Sequence, residues 1–176
     1  MATEEKLNAV YDSMRAGLFI VTSAYRRRPV GCTCLWVSRV SFEPGLVAVF
    51  LAPSRFTCQT IQKSKRFVLH TLGEDCLDLA RRFGLTSSRD TDKFATAAHT
   101  VTRTGIPVLE QAASWLECRL ATVEPQGDHY LLLGEVVNGA VQRDTPHMIY
   151  NPHTFYLAGE PRREELLGGS TSGAAQ

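Results

Sequence analysis

Seven runs rich in β-branched, aromatic and aliphatic residues punctuate this chain, and no regular strand–helix alternation joins them. They fall at 18–25, 31–45, 46–52, 65–72, 114–124, 129–142 and 154–159. Such residues suit a pleated, half-buried surface, so each run predicts a strand. A doubly wound parallel sheet would need a helix between every pair of strands. The pattern instead predicts a mainly β, antiparallel barrel decorated by short helices. The 176 residues form one domain with a substantial core.

The segments between the runs carry helix and turn signals. Thr3 can cap a first helix in which Leu7, Val10, Tyr11 and Met14 recur at helical spacing, with Gly17 as its stop. An arginine-rich turn ending at Pro29 predicts a hairpin between the first two runs. The run 46–52 is apolar throughout and is expected to be buried on both faces. Ser54 is placed to cap a short helix over 54–64, and a second helix over 74–84 is expected to end at Gly84. The polar segment 86–97 predicts a turn and a short helix carrying Lys93 and Phe94, and the segment 125–129 a turn. The organisation expected is an N-terminal helix over 1–16, one domain over 17–160 and a disordered tail over 161–176.

Charge and composition exclude several classes of function. The net charge is +1, so no strong global field draws the chain to nucleic acid or an acidic membrane. Arg26–Arg27–Arg28 is the only dense basic run and reads first as a solvated loop. The charged start is no secretory signal, and no stretch approaches the roughly 18 apolar residues of a membrane span. Neither a Gly-x-Gly-x-x-Gly fingerprint, a P-loop nor a nucleophile elbow is present. Five irregularly spaced cysteines, an odd number, favour free thiols and a cytoplasmic location.

Cys32 and Cys34 share one strand face, about 6.6 Å apart at the usual rise per residue. That spacing lies at the far edge of disulfide geometry. Cys58, Cys76 and Cys118 are each isolated, and His147 and His153 lack cysteine neighbours, so no metal site is expected. Packing beside a flat surface is the favoured role of the pair.

Taken in order, the segments "GCTCLWVSRVSFEP", "LVAVFLAPSRFTCQTI", "FVLHTL", "LARRFG", "DKF", "GIPVLEQAASWLECRL" and "GDHYLLLGEVV" resemble the flavin reductase-like family. The match runs from about Gly17 to Ala158 and is closest in pattern to the ferric reductase and flavoredoxin-like branch. The resemblance implies an FMN-binding split β-barrel, antiparallel and Greek-key-like. It implies an NAD(P)H-dependent flavin reductase that supplies reduced flavin or electrons to a monooxygenase or to ferric iron. FMN is the expected flavin, with FAD possible and NAD(P)H as co-substrate. It also implies a homodimer with FMN near the subunit interface. An FMN electron carrier reduced by a protein partner, or a diverged flavin-binding protein, are the alternatives.

The residues can be matched to the parts of such a cofactor. Pro53 to Thr57 begin a helix after a strand, which offers free amides and a positive dipole end. Ser54 and Thr57 add hydroxyls and Arg55 a charged fork; a plain helix cap with a surface arginine reads equally well from these residues alone. The resemblance implies a phosphate there, with Lys93 and Arg82 as further charge. Along the ring it implies Cys32, Thr33, Cys34, Leu35, Trp36, Val37 and Ser38, with Ser41 towards the ribityl or phosphate end. Leu35 and Trp36 stand where many reductases have small residues. Trp36, Phe83 and Phe94 could border the ring or serve as core. His129 is expected near the open face of the flavin, orienting a nicotinamide, and Arg26 to Arg28 could contact a dinucleotide phosphate.

Overall fold

The computed structural model describes residues 3–156. Seven strands form one antiparallel sheet in the order β2-β1-β5-β8-β9-β4-β3. These are β1 (Phe19–Tyr25), β2 (Arg28–Cys34), β3 (Val37–Ser41), β4 (Leu46–Leu51), β5 (Arg66–Thr71), β8 (Ser114–Gln126) and β9 (His129–Val141). The two edge strands, β2 and β3, are consecutive in the chain and separated only by Leu35 and Trp36. Two residues cannot bridge the width of a flat seven-stranded sheet at about 3.3–3.6 Å per residue. The sheet therefore curls until its edges meet, and the seam between them is the split of the barrel.

Side-chain alternation divides the core into two parts. Val21 on β1, Cys32 and Cys34 on β2, Val47, Val49 and Leu51 on β4, and Phe67 and Leu69 on β5 fill one cluster. The intervening Leu18 and Ile20 point the other way, to a cluster with Leu79, Ala80, Phe83 and Phe155. The first is the barrel interior; the second lies beneath the helices. The period of two places both, and β1 is consequently covered on both faces. Helix α2 (Phe56–Ser64) contributes Cys58 and Ile61 to the interior cluster, and α3 (Leu77–Leu85) packs against β2 and β1.

Several boundaries depart from expectation for local reasons. Helix α1 (Glu4–Ser13) stops before Gly17, because the Ser13 hydroxyl donates to the Val10 carbonyl at 2.6 Å and Met14 is extended. Thr3 occupies its N-cap without a side-chain capping bond. The hairpin turn is Arg26–Arg27 alone, both at positive φ (51° and 64°), and Pro29 sits within β2 opposite Ala24. A proline is tolerated there because β2 is an edge strand. The run 31–45 is two strands rather than one, since the seam breaks it at Leu35–Trp36. Arg55, not Ser54, is the N-cap of α2.

Gly84 does not end α3, which continues to Leu85. Its value is close approach: a Cβ there would meet the Phe155 ring at 2.7 Å. The segment 86–97 forms turns without a helix. Thr154–Phe155, read from sequence as strand, belongs to a short helix, α4 (Pro152–Phe155), whose cap Asn151 accepts from the His153 amide at 3.0 Å. Tyr156 follows as its extended C-cap, and 157–159, like the tail, lie outside the described residues. A small sheet of β6 (His99–Val101) and β7 (Pro107–Leu109) was not legible in the sequence.

Buried His70 ties that small sheet to the barrel. Its Nε2 accepts from the Leu109 amide at 3.1 Å, which places the proton on Nδ1, facing the Ile20 carbonyl at 3.1 Å. Burial pulls its pKa down to about 4, so it serves as a neutral connector.

Candidate functional site

Two cavities meet at Arg55. The first is a groove enclosing about 640 Å³ of empty space, counted to its open mouth. Its floor is the seam: Thr33, Cys34, Leu35 and Trp36 leave β2 there, and Phe50 and Leu51 continue the wall on β4. Tyr150, Phe155 and Tyr156 from the end of the described chain close the other side. Most of the groove's lining residues are apolar or aromatic, a wall suited to a flat ring. Thr33 keeps its place by donating to the Ala80 carbonyl of α3 at 2.6 Å.

His129 stands at the groove because the β8–β9 hairpin carries it there. Its Nδ1 lies 2.7 Å from the Asp128 carboxylate, so the carboxylate favours a proton on that nitrogen and leaves Nε2 for a ligand. The ring leans on Trp36, 4.7 Å between centroids. Trp36 is 43% exposed and is not core.

The second cavity holds about 720 Å³ to its mouth. Its lining combines the hydroxyls of Ser54, Thr57, Ser87 and Ser88 with the cations Arg55, Arg89 and Lys93, and no carboxylate. The start of α2 supplies Phe56 and Thr57, so the helix's free amides face this side. Lys93 is 2% exposed and donates to the Gly31 carbonyl at 3.0 Å and the Phe83 carbonyl at 2.9 Å. Burial, with the nearby Arg55 charge, lowers its pKa to about 8. Arg55 has no side-chain hydrogen bond or ion pair among the described residues. A pair of close cations without a counter-anion is costly unless an anion completes the site.

The strand that opens both cavities is β2. Cys32 borders the polar cavity and Cys34 the groove, although both pack into the barrel interior. Burial raises both thiols' pKa, with Arg55 and Lys93 opposing the rise at Cys32. All five cysteines are buried and unbridged. Gly31 sits at the back of the polar cavity because a Cβ would come within 2.7 Å of the Phe83 ring.

The structure thus brings together Cys32, Thr33, Cys34, Leu35, Trp36, Ser54, Arg55, Thr57, Lys93 and His129. It does not bring Val37, Ser38 or Ser41 to either cavity: β3 turns them past the seam, where Ser38 bonds the Arg39 carbonyl and is exposed. Phe83 and Phe94 are core, stacked edge-on at 5.2 Å, and Phe83 meets the site from behind, through its carbonyl and through a ring whose centroid lies 5.6 Å from the Lys93 ammonium. Arg82 lines neither cavity. Ser87, Ser88 and Arg89, missed from sequence, were signalled only by a polar loop beside Lys93. In the aromatic wall, Phe155 and Tyr156 were hidden by the reading of 154–159 as a strand, and Tyr150 was not singled out from sequence.

A curled antiparallel sheet whose groove opens onto a cationic cavity defines a split-barrel protein. The family model described as "Flavin reductase like domain" matches residues 11–158. The chain belongs to that family. An NADH:FMN oxidoreductase of Rhodococcus qingshengii is 33% identical over 146 residues, covering 80% of this chain and 74% of that protein. The reductase subunit HsaB of a flavin-dependent monooxygenase from Mycobacterium tuberculosis (strain CDC 1551 / Oshkosh) is 32% identical over 140 residues, covering 80% and 72%. Among solved structures, an FMN-binding protein from Thermus thermophilus is 31% identical with a TM-score of 0.71, covering 75% of this chain and 74% of that one. Among the described residues no helix is long and apolar enough to cross a membrane.

Proposed function

We propose that this chain is an NAD(P)H:flavin oxidoreductase, the reductase partner of a flavin-dependent monooxygenase. The observation that carries the reading is the unpaired Arg55 beside buried Lys93, at the junction of an apolar groove and a hydroxyl-lined cavity. These residues fit a flavin: the cations, the α2 amides and Ser54 and Thr57 would hold its phosphate. The seam residues Thr33 to Trp36 would lie along its ring. The cluster at Arg55 and Lys93 would balance one phosphate, which FMN and FAD both carry. Bound flavin supplies a ring that accepts a hydride equivalent from reduced nicotinamide and passes the electrons on.

The chain's own part is binding, orientation and exclusion of water. His129, fixed by Asp128, would orient the nicotinamide over the groove. The aromatic wall at Tyr150 and Tyr156 would keep solvent from the ring. No protein acid or base is required for hydride transfer, in keeping with a site that lacks a carboxylate pair. The exposed apolar residues Leu7, Val10 and Tyr11 on α1, with Met14 just after it, support a homodimer. Five buried, unbridged thiols support a cytoplasmic location.

Steady-state oxidation of NADH and NADPH by the purified protein tests the reading. Turnover that depends on added FMN or FAD is expected; no flavin-dependent turnover with either nicotinamide contradicts it. The packing of Trp36 on His129 favours a second reading, an electron carrier whose ring is screened from nicotinamide. That reading requires bound flavin reducible by dithionite and inert to both nicotinamides.

A further inference from the structure

The positive charge of the polar cavity does not stop at the residues a single phosphate would need. Arg89 lines its mouth, and its Nη2 is anchored on the Gln59 side-chain oxygen at 3.0 Å and the Ser54 carbonyl at 3.4 Å. Just outside, Arg28 donates from Nη2 to the Ser88 and Arg89 carbonyls at 3.1 and 3.0 Å. Both guanidiniums lie over the Phe56 ring, 4.8 Å (Arg28) and 5.5 Å (Arg89) from its centroid.

Each arginine is therefore held by one nitrogen and by the ring, which leaves its Nη1 and Nε donors for an outside acceptor. Neither has a carboxylate partner among the described residues. Arg26 and Arg27 follow at the exposed hairpin tip. A line of cations thus runs from buried Lys93 through Arg55 and Arg89 to Arg28. One phosphate carries at most two negative charges, and Lys93 and Arg55 alone can balance it.

We propose that Arg28 and Arg89, braced on Phe56, form a second anion subsite that takes the outer phosphate of a flavin dinucleotide, so that the chain prefers FAD to FMN. The inference rests on the flavin reading above and deepens it by naming the class of flavin. Specificity follows from geometry: the inner phosphate sits at the start of α2, and the outer one meets two planar forks suited to bidentate contact.

Calorimetric titration of the full chain with FMN and with FAD tests the inference. FAD is expected to bind at least about tenfold more tightly than FMN. Arg28→Ala is expected to remove most of that advantage while FMN still binds, and Arg28→Lys to recover only part, because an ammonium neither stacks nor forks. Continued FMN binding shows that the variant is folded. FAD binding no tighter than FMN in the wild type overturns the subsite, as does equal weakening of both flavins in Arg28→Ala, which would make Arg28 a brace for the Ser88 loop. Binding of neither flavin to the wild type overturns the flavin reading itself.

Discussion

The two cavities that meet at Arg55 are built by different means. The groove is made by topology: it exists because two edge strands are joined by two residues and the sheet must close on itself. Its lining is a set of ordinary apolar and aromatic side chains whose proximity no local pattern announces. The polar cavity is made by composition. A helix start with Ser54, Arg55 and Thr57 faces a loop with Ser87, Ser88, Arg89 and Lys93. The first can offer shape and dryness, the second charge. Ligand affinity should therefore reside mainly in the polar cavity, and positioning of the second substrate in the groove.

The sharpest way to break this division is Arg55→Ala. Arg55 has no hydrogen-bond or ion-pair partner to lose among the described residues, so stability should change by less than about 0.5 kcal/mol. Flavin affinity should fall about 10- to 100-fold, the scale of a charged hydrogen bond to phosphate. Titration of the variant checks this; unchanged affinity would remove the polar cavity from the site.

His129→Ala probes the groove. The variant should raise the nicotinamide KM about tenfold, the loss of roughly one hydrogen bond, while flavin affinity stays within about twofold. Equal loss in both quantities would mean that His129 holds the flavin rather than the nicotinamide.

A smaller effect separates charge from packing at Lys93. Its folded pKa of about 8 lies below the ordinary 10.5. Between those values the unfolded chain binds more protons than the folded one, so stability rises with pH across that window. Flavin affinity should move the opposite way, falling about fivefold as pH rises from about 7 to 9.5 and Lys93 loses its charge. Denaturant unfolding and titration at matched pH values read the two trends. Parallel trends would contradict the placement of Lys93 at the phosphate.

The strands were legible because β-branched and aromatic runs of the right length recur between turn residues, and the period of two correctly paired Cys32 with Cys34 on one buried face. The break between them and Val37 was not legible, since closure of the seam is a property of the whole sheet. For that reason Ser38 and Ser41, continuous with the site in sequence, leave it in space. The phosphate cluster could be read at Ser54–Thr57, where a helix start follows a strand. Its other half, Ser87 to Lys93, comes from a loop whose place is set by Arg28, which donates to its carbonyls, and by its own Ser88 hydroxyl bonding the Gly31 backbone. His70 shows the same limit: its role depends on Ile20 and Leu109, distant in sequence.

The central claim is that this barrel brings reduced nicotinamide to a bound flavin. Anaerobic mixing of the flavin-loaded protein with NADH or NADPH, followed through the flavin's visible absorption, tests it most directly. Rapid bleaching with at least one nicotinamide is expected, much faster than free flavin bleaches under the same conditions. Bleaching no faster than in protein-free buffer with both nicotinamides, from protein that binds flavin, would contradict it.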